Sequence, residues 1–175
     1  MTLLPTIDAT TLPIRPVNWH GLPREYLNDG ELEIIVALIR SIPHPRTVVE
    51  IGLAEGRTAK AILRELPQVE RYIGVDTDPG YKTKLHGQWT ERGPNPGHLA
   101  MDDPRFDRWL LPRGSLDLST DDFPPVDFCF IDGDHSSEVV QHDSDLARSI
   151  INRGGCIAWH DCSNDSVEVT RVLEA

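Results

Sequence analysis

The apolar positions of this chain change period several times, and each change marks an element. Ile34, Ile35, Leu38 and Ile42 recur at helical spacing, with Glu31 and Glu33 in the first turn, where acids suit the positive end of a helix. The pattern predicts a helix from Glu31 to about Ile42, capped by Asn28 or Asp29 and stopped by Pro43 and Pro45. Thr47 to Ile51 is a short apolar run of the kind found in buried strands. Gly52 and Gly56 then bracket a turn, Thr58 to Leu66 reads as a helix ended by Pro67, and Arg71 to Val75 reads as a second strand closed by Asp76. A crossover this short between β-branched strands favours a parallel sheet with helices on its faces.

The second half repeats the alternation. A weak strand is expected from Arg108 to Leu111 and a strong one from Asp127 to Ile131. A helix from Ser137 to Ile151 turns Val139, His142, Leu146 and Ile150 inward. Asn152 to Gly155 reads as a turn, Cys156 to Trp159 as a buried strand, and Asp165 to Leu173 as a last helix. Two stretches resist this reading. Residues 1–27 carry four prolines and read as an extended arm leading to a domain at 28–175. Residues 79–105, with the Pro/Gly loop ERGPNPGHL, have the look of an insertion. The whole is a Rossmann-like, doubly wound α/β domain, its mostly parallel sheet covered on both faces. Such sheets bind ligands beyond the carboxyl ends of their strands. Here those ends are Glu50–Gly52, Asp76, Asp132 and His160–Asp161, each an acid or a glycine-rich turn.

Charge narrows the partners. The net charge is −11, and residues 116–145 hold nine acids and no Lys or Arg. Nucleic acid and anionic membranes both reward basic surfaces, so neither is expected as a partner. No apolar run approaches the roughly 18 residues of a membrane span, and the N-terminus lacks the basic and apolar regions of a signal peptide. Three cysteines argue against a disulfide framework and for a reducing, cytoplasmic setting.

The glycine turn excludes two common cofactor sites. Counting from Gly52, a dinucleotide fingerprint would need glycines where Ala54 and Arg57 stand, and no Gly-Lys-Ser/Thr follows to make a phosphate loop. What remains is a turn that lets a ligand approach the backbone, followed some twenty residues later by Asp76, suited to two ribose hydroxyls.

VVEIGLAEGRTAKAIL followed by RYIGVD resembles the first two motifs of class I S-adenosylmethionine-dependent methyltransferases. I-D-G-D-H-S at 131–136 and G-G…H-D-C at 154–162 are similar to a branch of small-molecule O-methyltransferases. The resemblance spans about residues 46–162 and implies S-adenosyl-L-methionine as cofactor. It places Gly52, Ala54 and Gly56 beside the cofactor, Glu50 near its methionine portion and Asp76 on its ribose, with Gly114 and Ser115 lining the adenine. Ala54 stands where the family has its middle glycine. In catechol-type relatives, acids at the ends of the later strands hold Mg²⁺. Carried over, Asp132 and Asp161 are ligands, with His160 third where those enzymes carry an acid. An imidazole in the set also permits Mn²⁺ or another divalent cation. The implied reaction is O-methylation of a small hydroxylated acceptor (a sugar, polyketide-like or phenolic metabolite).

The residues leave other readings open. Without a metal, His135 or His160 is a general base near neutral pH, and Asp132 touches acceptor and cofactor alike. Asp134 caps the following helix in the plainest reading. Asp117, Asp121, Asp122, Asp143 and Asp145 read as solvated, and Trp159, Cys129 and Cys156 as packing. A metal-dependent hydrolase built on Asp132, Asp134 and His135 is one alternative, and a non-catalytic cofactor-binding module of a larger assembly is another. Only 15 residues follow His160, room for a helix but not for the antiparallel hairpin that normally closes the methyltransferase sheet. The expectation is a domain cut short, or a sheet edge covered by a second copy in a homodimer.

Overall fold

The computed structural model describes residues 5–22, 30–79, 82–85, 88–91 and 95–175. In chain order its main elements are α1 (Glu31–Ser41), β1 (Thr47–Ile51), α2 (Arg57–Glu65), β2 (Arg71–Thr77), β3 (Lys82–Leu85), β4 (Gln88–Glu91), β5 (Phe106–Leu111), β6 (Val126–Ile131), α3 (Ser137–Ile150), β7 (Ile151–Trp159) and α4 (Val169–Leu173). Five strands form one parallel sheet in the order β5-β2-β1-β6-β7. The chain lays down β1, β2 and β5 outward in one direction, then returns to place β6 and β7 on the other side of β1. The reversal between β1 and β6 opens a crevice at the carboxyl ends of those strands. The stretch that reads as an insertion contributes β3 and β4, an antiparallel pair apart from the main sheet. Within its loop, residues 92–94 lie outside the described residues.

Alternation along the strands builds a core on each face of the sheet. Val48, Tyr72, Phe128 and Phe130 meet α1 and α2 on one side, and Val49, Ile51, Ile73, Val75, Cys129 and Ile131 meet α3 on the other. Most elements fall within a residue or two of their expected bounds, but two helices are rotated from the expected phase. Helix α1 buries Leu32, Ile35, Val36 and Ile39, leaving Ile34 and Leu38 half-buried. The helix carries two apolar stripes, and the one containing Leu32 faces the sheet. Its N-cap is Gly30, at φ 93° and without a side-chain cap; Asn28 and Asp29 lie outside the described residues. Helix α3 buries Val140, Asp143, Ser144, Leu146, Ala147 and Ile150, so Val139 and His142 sit at the rim.

The ends of the sheet are tied by side chains. Asp127 Oδ2 accepts the backbone N–H groups of Arg46 (2.8 Å) and Thr47 (3.0 Å), and its Oδ1 accepts Asn152 Nδ2 (2.8 Å). One carboxylate thus fastens the starts of β1, β6 and β7. The expected turn at Asn152–Gly155 is instead part of a longer β7, which absorbs the irregularity as a register shift opposite Val126 and Phe128. Arg105 donates to the carbonyls of Leu63 (2.6 Å), Leu66 (3.3 Å) and Val69 (3.1 Å), satisfying the otherwise orphaned end of α2. In the arm, Val17 is buried, Trp19 Nε1 donates to Glu33 Oε1 (3.1 Å) and Arg64 donates to the His20 carbonyl (2.9 Å), so residues 17–20 lie against α1 and α2. The last helix is shorter than expected: turns occupy the stretch after Asp161, and α4 begins at Val169. No helix among the described residues is long and apolar enough to cross a membrane.

Gly52 is required by the protein itself. Its φ is 94°, and a Cβ there would lie 2.0 Å from the Asp132 carbonyl oxygen. Gly154, at φ 86°, has nothing within 4 Å of its own Cβ position. The two separate strain from collision. Gly154→Ala should cost about 1–2 kcal/mol, the left-handed penalty alone. Gly52→Ala should cost roughly 3 kcal/mol or more, because backbone must also move. Urea denaturation of the two variants checks the difference, and equal losses would contradict it.

Candidate functional site

The sheet ladder continues past the formal strand ends and fixes the residues there. Gly52 N–H donates to the Val75 carbonyl (2.8 Å), Asp132 N–H to the Ile51 carbonyl (2.8 Å) and His160 N–H to the Ile131 carbonyl (2.9 Å). Gly52, Asp132 and His160 are therefore held by the last rungs of β2-β1, β1-β6 and β6-β7. Gly56 closes the turn against a neighbour as Gly52 does: its Cβ would lie 2.7 Å from Gly97 Cα. Between them Ala54 adopts φ 44°, a left-handed conformation without a glycine's freedom.

Beside this turn lies a small cleft open to solvent. Of the residues the resemblance places beside the cofactor, Gly52, Asp76, Gly114 and Ser115 line it, while Ala54, Gly56 and Asp132 are not among the lining residues. Thr77, Arg113 and Val139 also line it, and no motif marks these three as cleft residues. Asp76 is 4% exposed and already clamps the turn. Its Oδ2 accepts the N–H groups of Leu53 (2.8 Å) and Ala54 (3.2 Å), and its Oδ1 accepts that of Thr77 (2.7 Å). Oδ1 also accepts the Thr77 hydroxyl (3.3 Å), so the carboxylate is already committed to the turn, and a ligand hydroxyl would share or displace one of these bonds. Arg57 does not obstruct the cleft; it is buried at the first position of α2 and is not among the lining residues.

Glu50 is placed differently from its expected position beside the ligand. It is 2% exposed, accepts Tyr72 Oη–H at 2.9 Å and is absent from the cleft wall. Burial pushes its carboxyl well above the usual range, with Asp132 and Asp76 adding repulsion against hydrogen bonds from Tyr72 and Thr58. Asp143, expected in solvent, is fully buried on α3. The one-residue rotation of that helix turns it under Gly133, whose Cβ position lies 3.6 Å from Asp143 Oδ2. Burial pushes the Asp143 carboxyl up, while Ser115 and His142 pull it back. Asp134 Oδ1 accepts Ser136 N–H (2.8 Å) just ahead of α3, whose N-cap is Ser136; Asp134 therefore precedes the cap and also lines the cleft.

Adjoining the cleft, the ends of β6 and β7 bring together the other predicted residues. Asp132, His135 and Asp161 can each offer a ligand atom within 4.8 Å of the others. His160 Nδ1 lies 3.2 Å from Asp132 Oδ1 and 3.1 Å from Asp161 Oδ2. Asp161 itself adopts φ 55°. The Asp132 hydrogen bond, opposed by burial and supported by Glu31 and Asp161, pushes His160 up to about 10. His135 Nε2 sits 3.0 Å from Asp161 Oδ2 outside hydrogen-bonding alignment, and both ring nitrogens are buried without a hydrogen-bond partner among the described residues. Phe130 packs against the His160 ring edge-on at 6.3 Å. Trp159, Cys129 and Cys156 take packing roles as expected: Trp159 Nε1 donates to Ser144 Oγ (3.0 Å), Cys129 is buried, and Cys156 packs half-buried against the core, while Cys162 is exposed.

Two carboxylates and two imidazoles on one rim fit a divalent cation. The buried His135 nitrogens, without a hydrogen-bond partner among the described residues, are polar atoms that a bound acceptor would satisfy.

Comparison with known proteins agrees with this architecture. A family model described as a methyltransferase domain matches residues 49–162. No curated protein matches the chain. Among solved structures, cofactor-bound Rv0187 from MTB superposes with a TM-score of 0.59 at 21% identity, covering 88% of this chain and 70% of that one. A protein of Klebsiella pneumoniae assigned as an O-methyltransferase gives 0.57 at 18% identity, covering 88% and 69%. A precorrin-6y C5,15-methyltransferase from Geobacter metallireducens GS-15 gives 0.57 at 14% identity, covering 87% and 72%. With the sheet order, the strand-end site and a family match over well over half its length, this chain belongs to the methyltransferase-domain family.

Proposed function

We propose that the protein transfers a methyl group from S-adenosylmethionine to an oxygen of a small hydroxylated acceptor, with a divalent cation held by Asp132, Asp161 and His160. The observation that carries this reading is adjacency. A cleft lined by Gly52, Asp76, Gly114 and Ser115 adjoins a cluster of two carboxylates and two imidazoles at the ends of β6 and β7. The O-methyltransferase assignment of the Klebsiella neighbour points the same way.

In this reading Asp76 accepts ribose hydroxyls while it clamps the turn, and Gly114 and Ser115 flank the adenine. The methyl donor supplies a carbon bonded to a positive sulfur, and the acidic strand ends favour that charge over the neutral product. The cation, when bound, supplies orientation and a lowered pKa for the acceptor hydroxyl. His160 serves as a ligand because its ring is held on both sides, by Glu31 and by the two aspartates. His135 is the base, because its buried ring nitrogens have no hydrogen-bond partner among the described residues. It takes the hydroxyl proton as the oxygen bonds to the methyl carbon and the carbon–sulfur electron pair returns to sulfur. Positioning the oxygen at near-attack distance is the protein's main contribution.

The division of labour is testable. Asp132→Ala and Asp161→Ala should each weaken Mn²⁺ binding more than tenfold and abolish methylation. His135→Ala should leave Mn²⁺ and cofactor binding intact while lowering kcat roughly 10²–10⁴-fold. Calorimetry and a labelled-methyl assay measure both; unimpaired turnover by Asp132→Ala would remove this site assignment, and unimpaired turnover by His135→Ala would remove the base.

A second prediction follows from His160. Its folded value, about 10, lies above the ordinary imidazole value. The stability it contributes to the metal-free protein is therefore complete below pH about 6.5 and lost as pH rises toward its folded value. Metal-free protein should weaken across that window by up to about 1.4 kcal/mol per pH unit, and His160→Ala should flatten the decline in urea titrations.

A further inference from the structure

Helix α1 reaches the strand-end cluster through its first residue. Glu31 Oε2 lies 3.2 Å from His160 Nε2, across 129 positions of sequence. The other ring nitrogen, Nδ1, faces Asp132 Oδ1 and Asp161 Oδ2 at 3.2 and 3.1 Å. Phe130 limits the ring's freedom from the side. A carboxylate only accepts hydrogen bonds, so with no cation present both ring nitrogens carry hydrogens, one toward Glu31 and one toward the two aspartates. A cation between Asp132 and Asp161 would take the place of the Nδ1 hydrogen, while Glu31 keeps the hydrogen on Nε2 and so leaves the Nδ1 lone pair for the cation. Metal-binding histidines are commonly oriented this way, by an outer carboxylate on the nitrogen that does not ligate.

We propose that Glu31 is a positioning residue for the cation site: by accepting Nε2–H of His160 it presents Nδ1, beside Asp132 and Asp161, to a divalent cation. This rests on the reading of those three residues as ligands. It goes beyond that reading by giving the helix before the matched family region a part in the site. The competing role is local, because an acid at a helix N-terminus also stabilises the helix electrostatically. A purely local role changes stability and leaves metal affinity alone.

Co²⁺ serves as the probe, since its visible absorption reports its ligands as calorimetry reports its affinity. The full-length protein is compared with Glu31→Ala, Glu31→Gln, His160→Ala and the Glu31→Ala/His160→Ala double variant, with circular dichroism as the check on folding. The expected result is a 10–100-fold weaker Co²⁺ affinity in Glu31→Ala with an altered spectrum. Glu31→Gln should recover most of the affinity, because its amide oxygen still accepts from Nε2. In the His160→Ala background, removing Glu31 should change nothing further. Should Glu31→Ala fail to fold, Glu31→Met keeps the side-chain length and tests the same loss of acceptor. Wild-type affinity and spectrum in Glu31→Ala would overturn the proposal and leave the cation reading standing. An equal loss with and without His160 would overturn it in favour of a general charge effect. Absence of Co²⁺ binding in the wild-type protein would remove the cation reading first, and this proposal with it.

Discussion

The close approach of two backbones at the centre of the sheet governs the rest of the site. Where β1 turns into α2, Gly52 passes so near the Asp132 carbonyl that no side chain fits between them. That contact lets the Asp132 N–H complete its hydrogen bond to Ile51 and sets the height at which β6 ends. The next rung, His160 N–H to Ile131, sets the end of β7 from β6. The backbones at Asp132 and His160 are thus positioned by the ladder, and Asp161 follows one residue on, its carboxylate held from the next turn by Asn164 Nδ2 (2.9 Å). A site that must align reacting atoms benefits from such support, because small displacements cost much of the gain from proximity.

The electrostatics follow from that placement. Parallel strands ending side by side bring Asp132 and Asp161 to one rim, and two unpaired carboxylates there would repel. The protein answers with imidazoles: His160 lies against both acids, and His135 lies 3.0 Å from Asp161. Asp161 is held below its ordinary carboxyl value despite its partial burial, with Asn164, His160 and His135 outweighing the desolvation. Glu50 and Asp143 take the opposite course. Each lies deeper in the protein, and burial dominates their titration. The chain therefore favours the charged form of Asp161 at the rim and pushes Glu50 and Asp143 toward neutrality beneath it.

Much of this was legible because strands buried on both faces leave a strong mark. Val48 to Ile51 is an apolar run broken only by Glu50 and Phe128 to Ile131 is an unbroken one, and the candidate site residues Gly52 and Asp132 follow directly on them. Helical phase was less legible. Helix α1 offers two apolar stripes, so periodicity cannot say which one faces the sheet, and α3 is rotated enough to bury Asp143. A buried carboxylate leaves no trace in sequence unless its partners are adjacent. Glu31 was invisible for the same reason: it reads as an ordinary first-turn acid, and its partner lies 129 residues away. The segment between β2 and β5 resisted because its β3-β4 pair lies outside the main sheet and lacks a long apolar run.

The glycine turn shows how a correct residue can be identified for an incomplete reason. Gly52 and Gly56 were read as making room for a ligand. Their missing side chains instead make room for the backbones at Asp132 and Gly97. Ala54, which departs from the family pattern, has the left-handed φ of a glycine without being one, and its N–H is held by Asp76. The carboxylate assigned to a ribose is therefore also the clamp that keeps the turn in its strained shape. This coupling argues that the spacing between turn and acid is fixed first by folding. The turn reaches across to β2 for its hydrogen bonds, and the residue that accepts them lines the cleft. A ligand at Asp76 would then rest against a group that the fold has already fixed, so the clamp and the binding wall need not be separate inventions of the sequence.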